Sequence, residues 1–318
     1  MKKTLLIIFI TFFYSSVYSQ YDITVNELKD HISFLTSEKN AGRYPGGRAN
    51  KIIVKYLEKD FKKQGLLHFG NCYKQNFKAR LRVEKDELEK PFANTCNVVG
   101  YLEGNDPILK NEYIILGAHY DHLGFGGPSS KSDKKNTIHY GADDNASGTA
   151  ALLEIAEKVA SNKKELKRSI IFIAFGAEEQ GLLGSKYFVA NSFVPLSQIK
   201  LMINMDMVGR LNQDNHVYMG GAGTFPDGVS YMQNLGESLR LTPIVHAGSV
   251  GGSDHVSFYA KGISVLGIHT GGHPQYHTPE DTIDLINFPG EKKVSEYIYN
   301  ALMEFATTDY KMSFIKQE

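Results

Sequence analysis

A chain of 318 residues, 42% of them hydrophobic and 22% charged, is long enough to bury the core of one large domain or two modest ones. Its 35 basic side chains balance 35 acidic ones, which argues against nucleic acid or an anionic membrane surface as a partner. Two cysteines are too few for a disulfide scaffold or a thiolate-held metal cluster, and without Trp there is no Trp-lined ligand cage.

In chain order, Met1-Lys2-Lys3 is a short basic start and Leu5 to Phe13 is almost wholly apolar. Val17-Tyr18-Ser19 then offers a small residue at a cleavage point before Gln20. This is the pattern of a secretory signal peptide over residues 1–19, too short to anchor comfortably in a bilayer. It leaves residues 20–318 as a single domain, soluble in a periplasmic or extracellular space and not in the membrane once cleaved. In such a compartment Cys72 and Cys96 could be bonded or could remain two thiols; spacing does not decide between these.

Helical apolar spacing marks residues 24–36 and 47–64, the second through Ile52, Ile53, Tyr56, Leu57 and Phe61. From about residue 97, strands alternate with helices. The expected strands are Asn97 to Leu102, Tyr113 to Ala118, Ile170 to Phe175, Lys200 to Met207 and Ile263 to Ile268; the helices lie near 146–160, 181–190, 228–240 and 291–307. This alternation predicts an α/β fold with a mixed, largely parallel central sheet and helices on both faces. The Gly/Ser/Lys-rich stretch 124–138 reads as an exposed loop.

Five acidic or histidine clusters fall at the ends of these strands or in nearby loops, where sites form in open α/β sheets. They are His119-Tyr120-Asp121-His122, Gly141-Ala142-Asp143-Asp144-Asn145, Gly176-Ala177-Glu178-Glu179, Asp206, and Gly271-Gly272-His273-Pro274-Gln275-Tyr276-His277. Several carboxylates around one crevice repel one another unless a cation neutralises them. A donor set of oxygen and imidazole without sulfur suits zinc in a hydrolytic site. No Gly-x-Ser-x-Gly elbow with a matching triad is present, which argues against a serine hydrolase.

These motifs resemble the M28 zinc aminopeptidases, which carry paired metal ions. The resemblance runs through Gly117 to His122, Gly141 to Gly148, Ala177 to Ser185, Asn204 to Met207 and Tyr276 to Thr282, in matching order and spacing, with a weaker match from Leu35 to Gly47. It implies two Zn²⁺ per chain bridged by Asp143, with His119 and Asp206 completing one site and Glu179 and His277 the other. It implies Asp121 as a residue that fixes the His119 tautomer, and a cis peptide between Asp143 and Asp144. It makes Glu178 the general base that activates water, and Tyr276 a donor to the developing oxyanion, as in some members. The implied activity is removal of N-terminal residues from peptides with a free α-amine. Two alternatives share the fold: glutaminyl cyclase chemistry on one zinc, and carboxypeptidase or dipeptidase chemistry. The latter needs a cation for the substrate carboxylate, for which Lys131 and Arg210 are candidates.

Overall fold

The computed structural model describes residues 21–83, 91–248 and 251–317. The expected leader, residues 1–19, lies outside them. The chain forms, in order, α1 (Val25–Leu35), α2 (Arg48–Lys63), β1 (Lys74–Arg80), β2 (Phe92–Leu102), β3 (Tyr113–His119), α3 (Gly148–Ser161), β4 (Ser169–Phe175), α4 (Leu183–Ala190), β5 (Ile199–Met205), β6 (His216–Gly220), α5 (Gly228–Ser238), β7 (Thr242–Val245), α6 (His255–Tyr259), β8 (Ser264–His269) and α7 (Phe288–Thr307). The strands make one sheet in the order β1-β2-β4-β3-β5-β8-β6-β7. Strand β3 pairs in parallel with β4 and β5, and β5 with β8; β1–β2, β2–β4 and β6–β8 are antiparallel.

Strand β4 shows how an unbroken apolar run serves two cores. Every residue of it is buried. Because side chains alternate across a strand, Ile170, Phe172 and Ala174 join the core that includes Leu28, Leu57, Ile155 and Leu302. Ile171, Ile173 and Phe175 join the opposite core with Phe188 of α4 and Phe258 of α6. Helices therefore cover both faces, as expected for a largely parallel sheet.

Apolar patterning missed both edge strands, β1 and β7, and also the short interior strand β6. Inward positions of β1 are Gln75, Phe77 and Ala79, and its outward ones include Asn76, Lys78 and Arg80, so the alternation is weak. Strand β7 contains Pro243, which cannot donate to a ladder and belongs at a sheet edge. Cys72 and Cys96 are free thiols, so the structure contains no disulfide between them.

Chain direction positions the site. From β3 the chain crosses to β4 on one side, then returns past β3 to β5 on the other. The carboxyl ends of β3, β4 and β5 thus splay around a switch point, where a crevice opens. Arg43 locks its surroundings. It is fully buried, and its guanidinium donates to the carbonyls of Tyr120, Leu35, Tyr140 and Gly141 at 2.7–3.2 Å. Burial lowers its pKa to about 10, offset in part by the charges of Asp144, Asp121 and Asp281. Gly42 beside it has φ +65°, and a Cβ there would lie 2.5 Å from the carbonyl oxygen of Gly124. Arg43→Met would strand the carbonyls of Tyr120, Leu35 and Tyr140, while that of Gly141 keeps Ala146 N, and cost about 3–5 kcal/mol, measurable as a lowered urea midpoint at unchanged m.

Candidate metal centre

Strand β3 ends in His119, whose Nδ1 donates to the carbonyl of Asp121 at 3.2 Å. That bond leaves Nε2 facing the crevice, 3.2 Å from Asp144 Oδ1 and 3.5 Å from Asp206 Oδ1. His277 is set in the same manner from the opposite side. Its Nδ1 donates to the carbonyl of Ser129 at 2.8 Å, and its Nε2 lies 3.1 Å from both Asp144 Oδ2 and Glu179 Oε2. The loop 124–138 is therefore more than an exposed connection, because its backbone orients a site histidine. Lys131 N also donates to His277 O.

Asp144 is the residue shared by both halves. The structure corrects the expected bridge: Asp143 does not join these donors, and its neighbour does. Asp143 turns away, accepting from Gly209 N at 2.7 Å and from the Ser147 hydroxyl at 3.1 Å, with its other oxygen 3.3 Å from His273 Nε2. The cause lies in the turn before α3. Gly141 is left-handed, and Asp144 (φ −105°, ψ 95°) and Asn145 (φ −133°, ψ 47°) are not helical. Asn145 fixes that turn against the end of β5 by donating to Met205 O and accepting from Met207 N and Gly148 N. Asp281 accepts from the backbone N–H groups of both Asp143 and Asp144 at 3.0 Å. The cis bond falls between Asp144 and Asn145, one residue later than expected.

Two groups of donor atoms, His119/Asp144/Asp206 and His122/Asp144/Glu179, each have all members within 4.8 Å of one another. Two donors each about 2.1 Å from one tetrahedral zinc stand roughly 3.4 Å apart. The separations of 3.1–3.5 Å among His119, Asp206, Asp144, Glu179 and His277 fit that requirement. His122 bonds Glu179 Oε1 through Nδ1 at 2.8 Å, so it holds that carboxylate in place.

Electrostatics match this arrangement. Burial and the Asp144 charge push Glu179 upward, but hydrogen bonds from His122 and His277 hold it at about 2. Burial opposes protonation of His277, yet bonds to Asp144 and Glu179 raise its pKa to about 10. Five segments, carrying His119 and His122, Asp144, Glu179, Asp206 and His277, thus bring acids and imidazoles to one point. Asp121 serves differently from expectation. Its carboxylate accepts from Glu178 N at 2.9 Å and Glu179 N at 3.3 Å, whereas its approach to His119 Nδ1 is 3.9 Å. It therefore positions the Glu178–Glu179 turn, and its backbone carbonyl sets the imidazole. Burial, with the Glu179 charge, pushes Asp121 up to about 7 against the pull of His119.

Glu178 is only partly covered and faces a cavity of about 450 Å³ whose walls include His119, Asp144, Asp206, Tyr276 and His277. Burial raises its pKa well above the carboxylate range; His119 opposes this, and Glu179, Asp254 and Asp206 add to it. Tyr276 stacks on His277 with ring centroids 3.8 Å apart. Arg210 does not line this cavity and donates to Gln275 Oε1.

The mixed, mostly parallel eight-stranded sheet is a fold shared with solved zinc exopeptidases. A solved Zn-dependent exopeptidase from Parabacteroides distasonis matches it with a TM-score of 0.71 at 21% identity, over 90% of this chain and 99% of that one. A glutaminyl cyclase from Porphyromonas gingivalis matches with a TM-score of 0.72 at 20% identity, over 90% of this chain and 100% of that one. At such identities these likenesses establish the fold. Residues 97–302 match peptidase family M28, and the chain belongs to that family. Aminopeptidase YwaD of Bacillus subtilis is 30% identical over 271 residues, covering 78% of this chain and 52% of that protein. The chain thus spans about half the length of that curated relative.

Two measurements follow from this geometry. In zinc titrations of the metal-stripped protein, Asp144→Asn weakens binding more than roughly a hundredfold, whereas Asp143→Asn, which acts through its neighbours, weakens it by about tenfold. Behind Asp143, Glu291 of α7 is fully buried, and its carboxylate oxygens have no hydrogen-bond partner among the described residues. Burial raises its pKa well above the ordinary value, with the charges of Asp143 and Glu154 adding. The folded state therefore keeps a proton that the unfolded chain loses above about pH 4.3, and stability falls as pH rises from there. Glu291→Gln removes that slope, so its stabilisation in urea melts is larger at pH 8 than at pH 5.

Proposed function

We propose that the protein is a zinc-dependent aminopeptidase that holds two zinc ions and removes N-terminal residues from peptides. The observation that carries this reading is the Asp144 carboxylate set between two imidazoles, with Glu178 beside it on the same cavity. His119, Asp144 and Asp206 would hold one ion; Asp144, Glu179 and His277 would hold the other, with His122 steadying Glu179. A zinc pair supplies Lewis acidity toward a scissile carbonyl and makes a water acidic near neutral pH.

The chain's own residues do the rest. Glu178, with its raised proton affinity, takes a proton from the attacking water and delivers it to the leaving nitrogen. Asp121 aims it by gripping its backbone N–H. The Tyr276 phenol lines the same cavity, and burial, followed by the nearby carboxylates, pushes its pKa up, so it stays a neutral donor for a developing oxyanion. The carboxylates of the crevice attract the free α-amine of the substrate. Names of relatives agree, since YwaD is called an aminopeptidase.

The mature chain is read as residues 20–318, released by cleavage after Ser19 into a periplasmic or extracellular space. Among the described residues no helix is long and apolar enough to cross a membrane.

The test pairs metal analysis with turnover of leucine p-nitroanilide and its N-acetylated form. The expected result is two zinc ions per chain, cleavage of the free-amine substrate alone, and a Glu178→Gln variant that keeps its zinc while losing at least about a hundredfold in kcat. Equal cleavage of the N-acetylated substrate contradicts the aminopeptidase reading. Cyclisation of N-terminal glutamine with one zinc per chain would replace it by cyclase chemistry.

A further inference from the structure

The crevice has a second lobe. Beside the 450 Å³ cavity lies another of about 350 Å³ that shares the wall made by Glu178, Gly252, Tyr276 and His277. The two lobes differ in charge. The first, walled by Asp144 and Asp206, includes Met207 and Ile268 and is closed below by the buried ends of β5 and β8. The second contains two exposed cations, Arg82 and Lys186, and its acids are confined to Glu178 and Glu179 on the inner wall. A third cation, the exposed Lys131, lines the first lobe, with its Nζ 4.1 Å from the centroid of the Tyr276 ring.

Arg82 is built into this position. Its Nη1 donates to the Ser129 hydroxyl at 3.1 Å, its backbone N donates to Gln180 Oε1 at 2.8 Å, and the Ser129 carbonyl is the group that orients His277. Lys186 is held by the carbonyl of Gly181 at 2.9 Å. Guanidinium has five N–H donors and ammonium three, so both retain donors for a ligand. Both lobes open to solvent, but the first includes Met207 and Ile268, apolar walls that suit an N-terminal side chain, so the leaving part falls to the second. The N-terminal side chain then occupies the first.

We propose that the second lobe is a carboxylate-binding subsite, formed by Arg82 and Lys186, which selects peptides bearing an anion on the residue just after the scissile bond. This rests on the aminopeptidase reading and names its substrate class. The anion has two sources: the C-terminal carboxylate of a dipeptide, or an acidic side chain in a longer one. Ion-assisted hydrogen bonds to a guanidinium or ammonium discriminate a carboxylate from an amide by about tenfold or more.

The test measures kcat/KM of the zinc-loaded enzyme for Leu-Leu, Leu-Leu-amide and Leu-Glu-amide, with leucine p-nitroanilide as a substrate that carries no carboxylate. The expected result is that Leu-Leu or Leu-Glu-amide exceeds Leu-Leu-amide by about tenfold, and that the ratio falls towards one in R82Q/K186Q. Preference for Leu-Leu alone identifies the C-terminal carboxylate, and preference for Leu-Glu-amide the side chain. If the wild-type enzyme cleaves all three peptides equally, or the double variant keeps the full preference, the inference is overturned. If neither the anilide nor any peptide is cleaved, the aminopeptidase reading itself fails and takes the subsite with it.

Discussion

The Asp144 carboxylate stands between two imidazoles that reach it from opposite sides, His119 Nε2 at 3.2 Å from one oxygen and His277 Nε2 at 3.1 Å from the other. Each imidazole has its far nitrogen committed to a backbone carbonyl, so neither can turn away without breaking that bond. Most other features of the crevice serve this constraint. Asp281 and Asn145 hold the turn that delivers Asp144, and Arg43 ties Tyr120 to Gly141, the residues that follow His119 and open that turn.

This packing is costly for folding alone. Asp144, Glu179 and Asp121 are buried together, and burial disfavours the charged form of each. Histidine bonds hold Asp144 and Glu179 ionised, whereas Asp121 and Glu178 are pushed towards protonation. Neighbouring acids with such divergent proton affinities can divide the tasks of holding cations and moving protons. The second lobe adds the opposite sign on the other side of the wall made by Glu178, Tyr276 and His277, through Arg82 and Lys186. A crevice with an acidic floor and a basic rim is matched to a ligand with an amine at one end and a carboxylate near the other.

Much of this was readable in the residues, for identifiable reasons. Strands β3, β4 and β5 are buried on both faces and so appear as continuous apolar runs that end in His119, Glu178-Glu179 and Asp206. Edge strands β1 and β7 carry polar outward residues or a proline and give no such run. Between Asp143 and Asp144, composition is identical, and only the left-handed Gly141 and the non-helical Asp144 decide which one faces the crevice. The roles of His122 and of Ser129 depend on contacts between segments far apart in sequence, which periodicity does not report. Arg82 lies outside every motif, and only folding brings it to Ser129 and the crevice wall.

Anomalous diffraction at the zinc edge, from crystals of the zinc-loaded protein, tests the shared role of Asp144 most directly. The account predicts two peaks about 3.5–4 Å apart, one against each oxygen of Asp144. A single peak, or a pair bridged by Asp143, would contradict it.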